Sequence, residues 1–439
     1  MAVCKGFCTR SYNQSLRYAV KARYFTLWFM KIHSEICVIG NGAVGKATAL
    51  ALAQAGFDVV LLAPAAQTSH KLESAEDRPW DMRVYALNHM AQALLSSLKV
   101  WSAMDLSRVA PVDAMLVHGE DSGGLGQLSF DAYGARVGAL AWIVEDSNLN
   151  VALDAALRFA SGLRVISATA TALKLATDNA AITLDNGDVI ETSLVVGADG
   201  AQSWVRGQCE IGLDYRSYNQ QAVVANFACE FPHHGVASQW FLGADGIVAL
   251  LPLPGQRVSL VWSAPDALAA SLLHEPVEKL AERLMALPDQ KLGQMSILPP
   301  AAPRAIPLKM IRTHSAIAHR VALVGDAAHV VHPLAGQGMN LGFADVDALL
   351  SALAKRELKT ECGDARTLGR YARSRKEDVA LMHLAMDGLQ RFFASELPPV
   401  RALRNAGLGL IDRIPFLKRR LIAHALGKTS LTNPEERWQ

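Results

Sequence analysis

Short apolar segments followed by helical patterns predict the first elements of this chain. Residues 35–39, 58–62 and 193–198 are almost wholly apolar, as expected of strands that a parallel sheet buries on both faces. The first segment leads into a glycine-rich turn and then into a helical stretch of small residues that continues to Ala55. This order of strand, turn and helix predicts an α/β fold with a Rossmann-like, doubly wound domain.

A different pattern occupies residues 221–262. Turns that contain glycine and proline separate four shorter apolar segments, at 221–227, 238–241, 246–251 and 257–262. These segments predict an antiparallel β-sheet inserted into the α/β domain. A further buried strand is predicted at 321–324, and from residue 364 onward the apolar spacing is helical.

Composition narrows the class of protein. The 439 residues are 51% hydrophobic and 19% charged, which suffices for two or three packed units. The net charge of +2 comes with dispersed basic residues, so nucleic acid is not expected as a partner. The six cysteines include no C-x-x-C pair, so neither a disulfide framework nor a zinc site is expected. The unpaired cysteines are typical of a reducing compartment, so a cytoplasmic protein is predicted. No apolar stretch approaches the roughly 18 residues of a membrane-spanning helix, so the chain is not expected to span a bilayer.

Residues 1–30 are predicted to lie outside the fold. The segment before Met30 contains five basic residues and no acid, a composition that a transit peptide would share. However, Met30 stands just before the first strand, and the segment has no clear helical stripe. A disordered or mis-set N-terminal extension is therefore the favoured interpretation.

Three glycines after the first strand form a candidate phosphate site. Gly40 permits a tight turn, Gly42 lets a pyrophosphate approach the backbone, and Gly45 allows helix and strand to pack closely. This spacing is typical of a dinucleotide-binding loop. One position departs from the pattern, because Ala63 ends the second strand where an acid usually binds the adenosine ribose.

The same segment also resembles a P-loop, since Gly40, Gly45 and Lys46 have the G-x-x-x-x-G-K spacing. A P-loop needs Ser or Thr after the lysine to hold magnesium, and Ala47 has no oxygen to offer. The dinucleotide interpretation is therefore favoured.

The most informative segment follows the apolar strand that ends in a Gly-Asp pair. Asp326 stands where a carboxylate can accept hydrogen bonds from ligand hydroxyls. Gly336 and Gly338 let the backbone approach a flat ligand, and the amides of residues 338–340 would open a helix whose positive end faces it. A site of this kind stabilises negative charge.

Two other positions have both a structural and a functional interpretation. Arg83 would either form a surface ion pair with Asp77 or Asp81 or bind a ligand, and the sequence alone favours neither interpretation. Asp199 ends the third predicted strand and would either cap the helix that begins near Gln202 or contact a ligand.

Two histidines three residues apart, His329 and His332, raise the hypothesis of a metal site. A closed metal site needs further nitrogen, sulfur or oxygen donors, and no third donor is evident beside them. No metal is therefore predicted.

Together these motifs resemble the FAD-dependent hydroxylases of ubiquinone biosynthesis, which are class A aromatic-ring flavoprotein monooxygenases. The resemblance extends from about Ile36 to Gly427 and implies FAD as the cofactor and NAD(P)H as the electron donor. The cofactor-binding residues that it implies are Gly40, Gly42, Gly45, Arg83, Asp199, Gly325, Asp326, Gly338, Met339 and Asn340. It places Pro333, Gly336 and Gln337 at the flavin end of the pocket as candidate catalytic residues, and it implies that Arg206 helps to hold the reductant's phosphates.

The resemblance also implies a division into domains. Residues 31–105, 140–206 and 305–355 would form a discontinuous FAD-binding domain. Residues 106–139 and 207–304 would form a substrate-binding β-sheet domain that covers the flavin, and a C-terminal helical region would follow at 356–430.

The implied activity is hydroxylation of the aromatic ring of a polyprenylated phenol or quinol intermediate, through a flavin hydroperoxide. Two alternatives stay open: a related monooxygenase of a small soluble phenol, and a flavin-bound, non-catalytic scaffold of a biosynthetic complex. Residues 401–428 interleave apolar and basic side chains, so this segment would either rest on the inner face of an anionic membrane or pack on the enzyme core. The expected partners are a lipophilic aromatic substrate, a membrane surface contacted peripherally, and a biosynthetic complex.

Overall fold

The structure is a computed structural model that describes residues 30–64, 79–119, 127–299, 302–332, 337–357 and 359–394. The predictions for residues 1–29 and for the basic segment 401–428 concern parts of the chain outside the described residues. Among the helices of the described ranges, none combines the length and the hydrophobicity that a membrane span requires.

Twenty strands and nine helices make up the described part of the fold. The strands are β1 (Lys31–Ile39), β2 (Val59–Ala63), β3 (Val84–Leu87), β4 (Ala110–Val112), β5 (Ala114–His118), β6 (Gln127–Asp131), β7 (Ala141–Glu145), β8 (Leu163–Ser167), β9 (Ala170–Leu175), β10 (Ala180–Leu184), β11 (Val189–Gly197), β12 (Leu213–Cys229), β13 (Val236–Phe241), β14 (Ile247–Leu253), β15 (Arg257–Pro265), β16 (Met295–Ile297), β17 (Arg304–Thr313), β18 (Ile317–Ala318), β19 (Val321–Leu323) and β20 (His329–Val330). The helices are α1 (Ala43–Gln54), α2 (His89–Ser97), α3 (Ala132–Ala135), α4 (Asp146–Phe159), α5 (Trp204–Gln208), α6 (Asp266–His274), α7 (Val277–Met285), α8 (Gln337–Ala354) and α9 (Ala365–Ala394).

The first sheet has eight strands and a parallel centre. Its central order is β19-β11-β1-β2-β8, and β9, β10 and β18 extend it by antiparallel pairing. Ile36 and Val38 pack in the layer that contains α1, α4 and α8, whereas Cys37 and Ile39 face the layer that contains β9, β10 and α5. Because protein covers both faces there, β2, β19 and the carboxyl-terminal halves of β1 and β11 are apolar at nearly every position. The predicted doubly wound α/β domain is confirmed.

The second sheet has nine strands in the order β20-β17-β12-β15-β14-β13-β5-β6, with β16 beside β12. Its neighbours pair antiparallel except β13 and β5. Helices α6 and α7 cover one face, where Val223, Leu250 and Leu260 are buried. Alternate residues point to the other face, which borders a large cavity. The inserted antiparallel sheet is confirmed, and it contains more strands than the four predicted.

Strand pairing bears on one predicted domain boundary. The sequence assigns 305–355 to the FAD-binding domain, but β17 pairs with β12 from Arg304 to Thr313 and so lies in the nine-stranded sheet. Its buried positions are interrupted by partly or fully exposed ones, as in a strand with one solvated face, whereas β2 and β19 of the parallel centre are buried at every position. Strand β4 joins β3 and β7 in a separate three-stranded sheet. The other domain boundaries stay predictions.

Candidate active site

The three predicted ligand-binding motifs begin at one edge of the parallel sheet. Strands β19, β11 and β1 are adjacent, and their last residues are in register, since Ile39 pairs with Gly197 and Gly197 pairs with Leu323. The motifs that follow these strands therefore start side by side. Ligands of open α/β sheets bind at such carboxyl ends, where the order of the strands reverses.

The glycines of the first loop are required for two different reasons. A Cβ on Gly40 would lie 2.2 Å from the carbonyl oxygen of Ala198, and a Cβ on Gly45 would lie 2.2 Å from the carbonyl oxygen of Gly40. In contrast, a Cβ on Gly42 would meet no atom within 4 Å, and Gly42 borders the cavity. The loop therefore leaves its backbone open at the start of α1, where helix amides favour an anion.

Lys46 is directed away from this loop. Its ammonium lies 2.6 Å from Asp154 Oδ1 and donates to Asn150 Oδ1 at 3.1 Å, both on α4. A P-loop lysine would instead reach the phosphates, so the structure does not support the P-loop alternative. Ala63 is buried at the end of β2, and its methyl group has no hydrogen bond to offer a ribose.

Arg83 borders the cavity and lies in an acidic neighbourhood. Its guanidinium lies 5.6 Å from the centre of the Tyr85 ring, and the Tyr85 hydroxyl donates to Asp146 Oδ1 at 2.6 Å. The Asp81 carboxylate accepts a hydrogen bond from the backbone N–H of Arg83 at 3.0 Å. Burial alone lowers the pKa of Arg83, but Tyr85, Asp146 and Asp326 raise it overall. A full positive charge is therefore available at the cavity wall.

Asp199 both caps a helix and borders the cavity. Its Oδ1 accepts from the Ser203 hydroxyl at 2.5 Å and its Oδ2 accepts from the Val205 N–H at 3.0 Å, which anchors the start of α5. Arg206, one turn further on, is buried and donates to the carbonyl oxygen of Ala327 at 2.9 Å. Its guanidinium thus holds the turn after β19, and its expected contact with the reductant stays a prediction.

Asp326 projects into the cavity from a 3-10 turn, Gly325–Ala327, that follows β19. Burial among the cavity walls raises the pKa of Asp326 above its usual value, although the charges of His329, Arg83 and Lys309 oppose this shift. A carboxylate that lines the cavity can accept hydrogen bonds from ligand hydroxyls.

Two predicted cofactor residues bind other parts of the protein. The Gly325 amide donates to Asp345 Oδ2 at 2.8 Å. Asn340 Oδ1 accepts from the Asn88 N–H at 3.0 Å, and its Nδ2 donates to the carbonyl oxygen of Ala86 at 2.8 Å. Neither Gly325 nor Asn340 is among the described residues that border the cavity, so both act by holding segments that do.

Helix α8 begins at Gln337, and its first turn faces the cavity through Gly338 and Met339. A Cβ on Gly338 would meet no atom within 4 Å. Of the predicted catalytic residues, Pro333 and Gly336 lie outside the described residues, and so does the side chain of Gln337.

The two histidines have separate partners. His329 Nε2 lies 2.7 Å from Asp345 Oδ2, and His332 Nε2 lies 3.3 Å from Gln220 Oε1. Burial lowers the pKa of His332 to about 4. In the part of the chain that the structure describes, no group of three or more His, Cys, Asp or Glu side chains is arranged to hold a metal.

The cavity has one polar end and one apolar wall, within a volume of about 1000 Å³. The nine-stranded sheet contributes a largely apolar wall, in which Ser238 and Gln239 are the polar residues and the apolar ones are Met115, Phe130, Ala222, Val224, Ala237, Ala249, Leu251, Val261, Ile306, Leu308 and Val330. This volume is at the upper end of the range for small-molecule sites, so cofactor and substrate can share one cavity.

The residues present fit FAD. Open backbone at Gly42 and Gly338 provides two places where a flat or phosphorylated ligand can come into contact with amide groups. Arg83 offers a cation to phosphate oxygens, and Asp326 offers an acceptor to hydroxyls.

Several polar residues of this region were not predicted from the sequence. Asp146 and Asn150, four residues apart on α4, border the cavity, and Asn150 Nδ2 donates to Asp146 Oδ1 at 3.0 Å. Tyr85 borders the cavity as well. Their i,i+4 spacing on one helix face was a usable signal, but nothing local indicated that this face lies against the loop at Gly42.

Comparison with known proteins identifies the family. Residues 157–383 match the family model described as an FAD binding domain. The chain is 33% identical to ubiquinone hydroxylase UbiL of Rhodospirillum rubrum over 91% of this chain and 90% of the relative. It is 34% identical to 3-demethoxyubiquinol 3-hydroxylase of Escherichia coli over 90% of this chain and 98% of the relative.

Solved structures show the same fold. p-Nitrophenol 4-monooxygenase PnpA of Pseudomonas putida superposes with a TM-score of 0.72 at 18% identity, over 92% of this chain and 100% of that chain. PqsL of Pseudomonas aeruginosa, in complex with 2-aminobenzoylacetate, superposes with a TM-score of 0.68 at 22% identity, over 86% of this chain and 99% of that chain. With the glycine loop, the Gly-Asp turn and the inserted sheet in place, the chain belongs to the ubiquinone-biosynthesis FAD-dependent hydroxylase family of class A flavoprotein monooxygenases.

Proposed function

We propose that this enzyme hydroxylates the aromatic ring of a polyprenylated phenol or quinol intermediate of ubiquinone biosynthesis, with FAD, molecular oxygen and NAD(P)H. The observation that carries this proposal is the single cavity that joins the polar edge of the parallel sheet to the apolar wall of the nine-stranded sheet. The named activities of the two bacterial relatives support the substrate class.

The polar end binds the cofactor. The loop that contains Gly42 would receive the pyrophosphate on the amides that open α1, and Arg83 would add a cation that attracts the same negative charge. Asp326 accepts hydrogen bonds from the sugar-alcohol chain of FAD. Asp199 fixes the start of α5 beside this binding region.

The start of α8 borders the cavity and would hold the flavin ring. When bound and reduced, FAD activates molecular oxygen and supplies one oxygen atom to the aromatic ring. The amides of Gly338 and Met339, at the positive end of an 18-residue helix that borders the cavity, would stabilise negative charge on the flavin ring. We also propose, from the family resemblance, that Pro333, Gly336 and Gln337 contribute to catalysis at the flavin end of the substrate pocket.

The nine-stranded sheet holds the substrate. Val224, Leu251 and Val261 present aliphatic surface to the cavity, and no charged side chain is among the described cavity residues that this sheet contributes. Such a wall binds a neutral ring and an isoprenoid chain by apolar contact, and it keeps water from the reacting atoms. The eight-stranded sheet thus serves as the FAD-binding domain and the nine-stranded sheet as the substrate-binding domain.

Because a polyprenylated substrate dissolves in the lipid bilayer, the enzyme is expected to act at a membrane surface. The interleaved basic and apolar residues of 401–428 support peripheral contact with the inner face of the membrane, where a biosynthetic complex would pass on such intermediates.

Product analysis tests this function. The FAD-loaded enzyme is given NADH or NADPH and a short-chain prenylated quinol under isotopically labelled oxygen, with the same head group lacking its chain as the matched control. We expect a product that gains one labelled oxygen atom, formed much faster from the prenylated compound because its chain contributes apolar binding free energy.

Each alternative gives a different result in the same assay. Faster hydroxylation of the tailless compound would establish the small-phenol monooxygenase. An enzyme that binds FAD but yields no hydroxylated product from either compound would be the non-catalytic scaffold.

A further inference from the structure

A buried charged cluster centred on Asp345 contacts the turn Gly325–Ala327, from which Asp326 projects into the cavity. Asp345 is on α8 and is fully buried. Its Oδ2 accepts from the Gly325 amide at 2.8 Å and lies 2.7 Å from His329 Nε2, while its Oδ1 accepts from Arg375 Nε at 2.7 Å. One carboxylate therefore joins both ends of the five-residue segment 325–329, which contains Asp326.

The segment is held from other directions as well. Arg206 donates to the carbonyl oxygen of Ala327 at 2.9 Å, and the Thr313 hydroxyl donates to the carbonyl oxygen of Ala328 at 2.8 Å. Gly325 itself has a φ of 59°, a left-handed conformation that glycine adopts without steric cost. The hydrogen bond from its amide to the Asp345 carboxylate fixes the position of this turn.

Helix α9 completes the cluster. Arg375 from α9 also donates to the carbonyl oxygen of Leu341 at 3.3 Å and pairs with Asp378 at 2.8 Å. Burial alone raises the pKa of Asp345, but the His329 ring and the Arg375 guanidinium outweigh it and hold the pKa below its usual value. The carboxylate is thus charged and can accept three hydrogen bonds.

We propose that Asp345 is a positioning residue for FAD: it fixes the segment 325–329 so that Asp326 meets the cofactor in its binding orientation, and Arg375 secures it from α9. This inference rests on the cofactor role proposed above for Asp326. When the segment that carries Asp326 is already ordered in the apoprotein, FAD binding costs less conformational entropy. If Asp345 no longer holds the segment, binding has to order it and FAD affinity falls.

The test compares Asp345→Asn with two controls. Asp345→Asn keeps the side-chain volume but removes the charge and one acceptor position. Asp378→Asn alters the outer partner of the same Arg375 at a half-exposed site, and Leu353→Ala removes buried apolar atoms about two turns along α8. FAD affinity is titrated on each apoprotein, and hydrogen exchange of the peptide that covers 325–329 is measured without FAD.

We expect Asp345→Asn to weaken FAD binding on the order of tenfold to a hundredfold, the range that outer-shell partners of bound metal ions contribute. Exchange at 325–329 should rise in the apoprotein. The two controls should keep FAD affinity within about twofold of wild type. An unchanged affinity in Asp345→Asn, or an equal loss in Leu353→Ala, would overturn the proposal.

Two further variants separate the possible causes of failure. If Asp345→Asn does not fold, Arg375→Lys keeps the charge but loses the guanidinium fork, and unchanged exchange and affinity there would refute the proposal. If Asp326→Ala binds FAD as wild type does, the proposed role of Asp326 fails. Exchange at 325–329 in Asp345→Asn would still show whether Asp345 holds the segment.

Discussion

Replacement of Gly42 by valine should weaken FAD binding at least tenfold without unfolding the protein. The backbone of Gly42 has φ −78° and ψ 170°, an extended conformation that any residue adopts. A Cβ at this position has no atom within 4 Å, so the apoprotein can accommodate a larger side chain. The added atoms would occupy cavity space that we assign to the pyrophosphate.

The two effects have different expected sizes. A surface-like substitution in a compatible backbone conformation changes stability by about 0.5 kcal/mol or less. Loss of one charge-assisted hydrogen bond between the loop and the pyrophosphate costs about 1.5–3 kcal/mol. Since about 1.4 kcal/mol corresponds to a factor of ten, FAD affinity should fall roughly tenfold to a hundredfold or more.

The assay combines quenching of FAD fluorescence with urea unfolding of the apoprotein. Gly138→Val is the matched control, because Gly138 is exposed, has an equally open Cβ position and does not border the cavity. Affinity of Gly42→Val within about twofold of the control would refute the assignment of this space to the pyrophosphate. A large loss of apoprotein stability would contradict the open geometry at Gly42.

Three other changes have defined outcomes. Asp326→Ala should purify as a folded protein without yellow flavin, which absorbance and circular dichroism check, because its carboxylate faces the cavity. Tyr371→Phe should lose about 1–3 kcal/mol in urea unfolding, since the fully buried hydroxyl donates to the Leu323 carbonyl at 2.6 Å. Because the pKa of His332 is lowered to about 4, the unfolded chain binds its proton first and stability should fall by up to about 3 kcal/mol from pH 6.5 to pH 4. Urea unfolding at both pH values should show a smaller fall in His332→Gln, and an equal fall would contradict the burial effect.

The elements around the cofactor were predictable because their signals are local. A buried parallel strand is apolar at successive positions, and a glycine or a Gly-Asp pair in the sequence indicates the loop that follows it. The strands that end at Ile39, Gly197 and Leu323 were therefore found from the sequence, together with the motifs that follow them. Their meeting at one edge follows from parallel pairing.

Contacts made between distant segments were not predictable in the same way. Asp345 looks like an ordinary polar residue of a helix, and its partners are separated from it by 16 to 30 residues. Lys46 completes the spacing of a P-loop, yet the acid that binds it is on α4. The destination of a long side chain depends on which helices become neighbours, and one sequence does not specify that locally.

The same distinction explains why glycines of one loop should respond differently to substitution. A Cβ on Gly40 would overlap the Ala198 carbonyl, so Gly40→Ala should destabilise the apoprotein itself, whereas the open position of Gly42 affects only the complex. Saturating FAD stabilises the folded state in proportion to the logarithm of its concentration over Kd, about 2.7 kcal/mol at a hundredfold excess. A variant that merely loses FAD therefore resembles an unstable protein when the loaded enzyme is melted. Only unfolding of the apoprotein separates the glycine that the fold needs from the glycine that the cofactor needs.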